Sequence, residues 1–89
     1  MSHEPLLARV RVHPQICSGR PYIHGTRIHI AIILDALIQG LTPWEVIDHY
    51  PCLELDDVYA AVAFASQLAE DNGGLAILGR NQDNTFQLR

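Results

Sequence analysis

Five histidines, two cysteines and an acidic pair are the residues with the chemistry to hold a metal or attack a substrate. His24 and His29 stand on either side of a turn signal, and neither falls at a zinc-ligand spacing from Cys17. A thiol nucleophile needs an adjacent base, and Cys17 with His24 or Cys52 with His49 are the pairs on offer. In a chain this short each cysteine reads better as an apolar filler of a small core. Asp56-Asp57 sits where a helix starts, so the macrodipole accounts for it without acid–base work. No glycine-rich loop leads from a strand into a helix with a phosphate-binding lysine, and the chain contains no lysine. The expectation is a binding protein rather than an enzyme, with no cofactor, metal or small-molecule substrate.

Charge narrows the partners. The net charge of −4 conceals a division along the chain. Residues 1–30 hold Arg9, Arg11, Arg20 and Arg27 against Glu4 alone, whereas residues 31–73 hold eight acids and no Lys or Arg. The acidic stretch repels a phosphate backbone, and within it a solvated helical face is the plain reading. If DNA is bound, Arg9, Arg11, Arg20 and Arg27 are the contacts the sequence offers. Arg20 and Arg27 have a structural alternative, bracing the turn through backbone carbonyls or pairing with the acidic helices.

The elements that would position these residues are legible from periodicity. With 89 residues there is room for one domain, and 48% apolar against 18% charged residues is globular composition. Leu7 to Val12 alternates Val10 and Val12 with Arg9 and Arg11, which predicts a strand with one wet, basic face. Ser18-Gly19-Arg20-Pro21 predicts a turn, and His24-Gly25-Thr26 a hairpin-like reversal between Tyr22-Ile23 and Arg27-Ile28. Ile30, Ile33, Leu34, Leu37, Ile38 and Leu41 form the apolar stripe of a first long helix, stopped by Gly40. Thr42-Pro43-Trp44-Glu45 is a capping box with proline at the first helical position, and Leu41 and Val46 hold the staple positions. Pro51 ends that short helix. A third helix is predicted over Leu55–Asn72, with Leu55, Val58, Val62, Ala65 and Ala69 inward. The plan is mainly α with a small N-terminal β segment: a β-hairpin and three-helix helix-turn-helix domain over residues 1–73, and a tail over residues 74–89.

No apolar run is long enough to span a membrane, and the N-terminus shows no secretory pattern, so a cytoplasmic location is expected. The small size and the alanine-rich third helix predict a homodimer. Trp44 is either core or an exposed interface anchor.

The stretch Ile16-Cys17-Ser18-Gly19-Arg20-Pro21-Tyr22-Ile23-His24-Gly25-Thr26-Arg27-Ile28 resembles the signature of a bacterial family, the domain of unknown function four-three-three. So do Gly40 to Ile47, Tyr50-Pro51 and Asp57 to Ala61, and the resemblance spans roughly Val10 to Leu68. It implies a homeodomain-like helix-turn-helix fold and an antitoxin role beside a PIN-like ribonuclease toxin. Gly19, Pro21, Gly25 and Thr26 then belong to a structural turn motif. The chain departs from the family's pattern at His29 and Glu54, where better helix caps are usual. The tail lies outside the resemblance. Its apolar Leu75, Ile77, Leu78, Phe86 and Leu88, with Arg80 and Arg89, suit packing on the domain or docking on a partner. As a toxin-binding segment it could add a strand to a sheet edge, bringing an arginine toward an acidic nuclease pocket.

Overall fold

The computed structural model describes residues 3–71. Its elements in chain order are α1 (Glu4–Leu7), β1 (Val10–Arg11), β2 (Tyr22–Ile23), α2 (Ile30–Ile38), α3 (Pro43–His49) and α4 (Leu55–Asp71), with a 3₁₀ turn at Cys17–Gly19. The described chain is mainly helical, with one two-stranded antiparallel sheet near its N-terminus.

The N-terminal segment differs from the strand expected over Leu7–Val12. Glu4-Pro5 opens one turn of helix, where proline's missing N–H costs nothing, and Leu6 packs on the core. Pairing is confined to Val10 opposite Ile23 and Arg11 opposite Tyr22. The alternation holds at its centre, with Val10 packed on the core and Arg11 exposed, and fails at both ends. Val12 is 61% exposed, and Arg9 turns toward α4 instead of water.

The next segment reverses twice. Cys17 and Ser18 both take left-handed backbone angles ahead of Gly19, at φ 54°, 56° and 80°. At the second reversal Gly25 has φ 86°, which an L side chain tolerates poorly. Thr26 closes that turn: its Oγ1 donates to the Ile23 carbonyl at 2.9 Å and accepts from the Ile28 N–H at 3.0 Å. The hairpin expected at His24-Gly25-Thr26 is therefore present, with Tyr22 bridged to His29.

His29 gives α2 no side-chain cap, and the N–H of Ile30 donates instead to the carbonyl of Pro21 at 3.0 Å. The helix ends in a Schellman motif. Leu41 N–H reaches the Ala36 carbonyl and Gly40 N–H the Leu37 carbonyl, with Gly40 at φ 101°. Thr42 and Glu45 then cap each other's backbone N–H groups at 3.2 and 2.8 Å, and α3 runs until the residue before Pro51. At α4 the Glu54 N–H is taken by Asp57 Oδ2 at 2.8 Å, so the cap arrives from three residues downstream.

The core joins Ile23, Ile30, Ile33, Val46, Leu53, Val58, Ala60 and Ala61. Three expected inward positions, Ile38, Val62 and Ala69, are corrected. Ile38 is 80% exposed, because it lies about 80° round the helix from Ile30, at the rim of the stripe where α2 stops. On α4 the buried side is turned by about one residue, roughly 100°, from the predicted stripe. Asp57, Val58, Ala60, Ala61 and Ala63 are buried, while Val62 and Ala69 are exposed. Alanine lets α1, α2 and α3 all close on α4 around Val58, while Tyr59, Val62 and Leu68 are left outside.

Candidate functional site

Four arginines carry the positive charge of residues 1–30, and the fold sets Arg9 apart from the other three. Arg9 is drawn into the acidic start of α4. Its Nη1 donates to Glu54 Oε1 at 2.9 Å and to Asp57 Oδ1 at 3.0 Å, and its Nη2 stands 3.6 Å from Asp56 Oδ2. Asp57 is buried, so its two oxygens are spent on Arg9 and on the helix cap. The hydrogen bonds that Arg9 donates to Glu54 and then to Asp57 raise its pKa above the ordinary value. Arg11, Arg20 and Arg27 are exposed, and none has an ion-pair partner among the described residues. Arg20 borders one groove and Arg27 another, beside His24 and Tyr22.

The turn motif brackets these arginines. Gly19 and Gly25 supply positive φ, the Pro21 carbonyl receives the first N–H of α2, and Thr26 ties the hairpin. Cys17 Sγ–H donates to the Arg27 carbonyl at 3.3 Å, which links the two reversals. Among the described residues, no group of three or more His, Cys, Asp or Glu side chains is placed to hold a metal ion.

Sequence reasoning missed an apolar groove of about 340 Å³ between the turn segment, α2 and the C-terminal half of α4. Pro21, Ile30, Ala31 and Leu34 form one side and Phe64, Ala65 and Leu68 the other, with Arg20 and His29 the polar contributors. Leu68 remains 46% exposed at its edge. The signal was present in Phe64 and Leu68, one helical turn apart, but the predicted stripe placed them off the buried face. A second apolar hollow lies round the helix, where Tyr59, Val62 and Ser66 meet His3 and Leu6. Trp44 is 63% exposed, which resolves the alternative left open for it in favour of the surface.

The tail positions Leu75, Ile77, Leu78, Arg80, Phe86, Leu88 and Arg89 lie outside the described residues, as does Asn72. No helix among the described residues is long and apolar enough to cross a membrane.

Comparisons place this architecture. The family model described as "Protein of unknown function (DUF433)" matches residues 10–65, which hold both reversals, α2, α3 and more than half of α4. No curated protein matches the chain. Among solved structures, a DUF433 member protein from Anabaena variabilis ATCC 29413 is similar at 28% identity and a TM-score of 0.65, over 76% of this chain and 67% of that one.

Proposed function

Since this chain belongs to the DUF433 family of proteins of unknown function, we propose that it is a protein-binding module of the antitoxin type. Its partner is a PIN-like ribonuclease, and it neutralises that enzyme by contact rather than by chemistry of its own. The observation that carries this reading is the run of open apolar surface on the C-terminal half of α4. Phe64, Ala65 and Leu68 lie immediately before a tail whose sequence is apolar again at Leu75, Ile77, Leu78, Phe86 and Leu88. Such surface gains free energy when a partner covers it, at about 25 cal/mol per Å². Two copies of the chain act together in the cytoplasm, and residues 74–89 form the segment that grips the toxin.

The test uses the PIN-like ribonuclease encoded beside the gene for this chain. Stoichiometric addition of the full chain should abolish its RNA cleavage, and deletion of residues 74–89 should restore it. Undiminished cleavage at equimolar chain, or the absence of any such nuclease in the neighbouring reading frames, overturns the proposal.

One observation favours a second role in DNA binding: Arg11, Arg20 and Arg27 are exposed and unpaired among the described residues. The α3–α4 pair would be the helix-turn-helix of a homeodomain-like unit. In that geometry the N-terminal turn of the second helix meets the base edges. Here that turn carries Asp56 and Asp57 after Glu54, and one guanidinium already serves all three. The contacts would therefore come from the arginines of the turn segment. A low-salt gel shift on the chain's own promoter, lost in Arg11→Ala/Arg27→Ala, supports the role; a shift that persists in that variant opposes it.

A further inference from the structure

The groove bordered by Pro21, Ala31, Leu34, Phe64, Ala65 and Leu68 ends close to where α4 ends. Leu68 is three residues from Asp71, a rise of about 4.5 Å. The sequence that follows α4 is residues 72–89, opening with Asn72-Gly73-Gly74 and continuing as Leu75-Ala76-Ile77-Leu78. Two glycines allow the chain to reverse without steric cost. After such a reversal the four residues of the apolar run, extended, reach about 13 Å. The stretch of α4 from Leu68 back to Phe64 is about 6 Å, so the run spans this wall with length to spare. Chemistry agrees with reach. The run is wholly apolar, and its first charged successor is Arg80, two residues beyond it.

We propose that Leu75–Leu78 folds back along α4 and seats in this groove of its own chain. A tether of two or three residues holds the run at an effective concentration in the millimolar range, which a second copy's tail in dilute solution does not match. This inference rests on the groove and the tail sequence and does not require the ribonuclease partner. Where both hold, the seat is regulatory. A partner that takes the tail must displace it from the groove, and its apparent affinity falls by the fraction of tail already seated.

The experiment compares amide NMR spectra of the isotope-labelled full chain with those of Ile77→Asp, using Asn84→Asp as a control outside the run. The expected result is a shift of the Ala31, Leu34, Ala65 and Leu68 signals in Ile77→Asp, none in Asn84→Asp, and no change of the wild-type positions on dilution. Changes confined to residues 72–89 overturn the proposal. So do groove signals that move with dilution, because the occupant is then a second copy. Neither outcome depends on ribonuclease inhibition, so this inference and the proposed function fail separately.

Discussion

The two ends of α4 are built on opposite terms. At the N-terminal end, Glu54, Asp56 and Asp57 converge on the one guanidinium of Arg9, and Asp57 also receives the cap hydrogen bond from Glu54. Each of these acids has a partner there, although one cation against three carboxylates leaves the cluster net negative. At the C-terminal half, Phe64, Ala65 and Leu68 line an open apolar groove. Exposed ion pairs contribute little in water, whereas apolar area still in water gains on any close contact. One end therefore fastens the helix to the N-terminal segment, and the other offers a surface.

The largest expected effect comes from making the same substitution on both sides of that divide. Ala61 is fully buried where α4 meets its neighbours, and Ala65, one turn on, lines the groove. Ala61→Leu should cost about 1–3 kcal/mol through overpacking, a fall in melting temperature of about 10 °C. Ala65→Leu should change stability by less than about 0.5 kcal/mol, because the added methyl groups meet a surface groove whose occupant is a displaceable tail segment and not the closed core. Equal losses in thermal denaturation would erase the distinction. Next in size is Asp57→Ala, which strands the Glu54 N–H and removes a partner of Arg9. A loss of about 2 kcal/mol is expected by urea denaturation.

A smaller effect follows at Arg9 itself, whose side chain is about one-third exposed. Arg9→Ala should cost about 1 kcal/mol, and Arg9→Lys should recover only part of it, since one ammonium cannot spread over three carboxylates as the planar fork does. The pKa of Arg9 is raised by Glu54 and then Asp57. A cation with a raised pKa contributes fully below its unfolded value and loses that contribution only as pH climbs through the folded one. Both lie far above neutrality, so the titration of Arg9 leaves stability flat between pH 6 and 8 on this account. Salt is the usable handle: the gap between wild type and Arg9→Ala should narrow as ionic strength rises.

Much of the fold was legible because its signals are local. The Gly40 stop, the Thr42–Glu45 box and the Pro51 break each depend on a few neighbouring residues, and each stands where the sequence placed it. The reversal at Gly25 was likewise readable, and Thr26, expected in the turn motif, ties it through its Oγ1. Apart from Ile38, a stripe residue at the rim where α2 stops, the misreadings involve distant partners. Arg9 leaves the expected wet face, where Arg11 remains, because it meets acids 45 to 48 positions away, a pairing that alternation cannot encode. The inward face of α4 was misplaced because periodicity weighs Val62 above alanine, while three helices closing on α4 select its small residues. The groove was missed for the same reason, since its walls come from Pro21, α2 and α4 together.

The smallest effect on stability is the most informative about function. Leu68 sits at the groove's edge, 46% exposed, and Leu68→Asp adds a charge that water can still reach. Its unfolding midpoint should stay within about 0.5 kcal/mol of wild type, in contrast to Asp57→Ala. Its affinity for the partner, or for the tail segment offered as a peptide, should fall by at least about tenfold, near 1.4 kcal/mol. Titration calorimetry beside a denaturation curve separates the two quantities. If stability falls with affinity, Leu68 is a core residue, and the asymmetry between the two ends of α4 is one of packing alone. If affinity falls while stability holds, apolar area has been left in water on α4 because something else covers it.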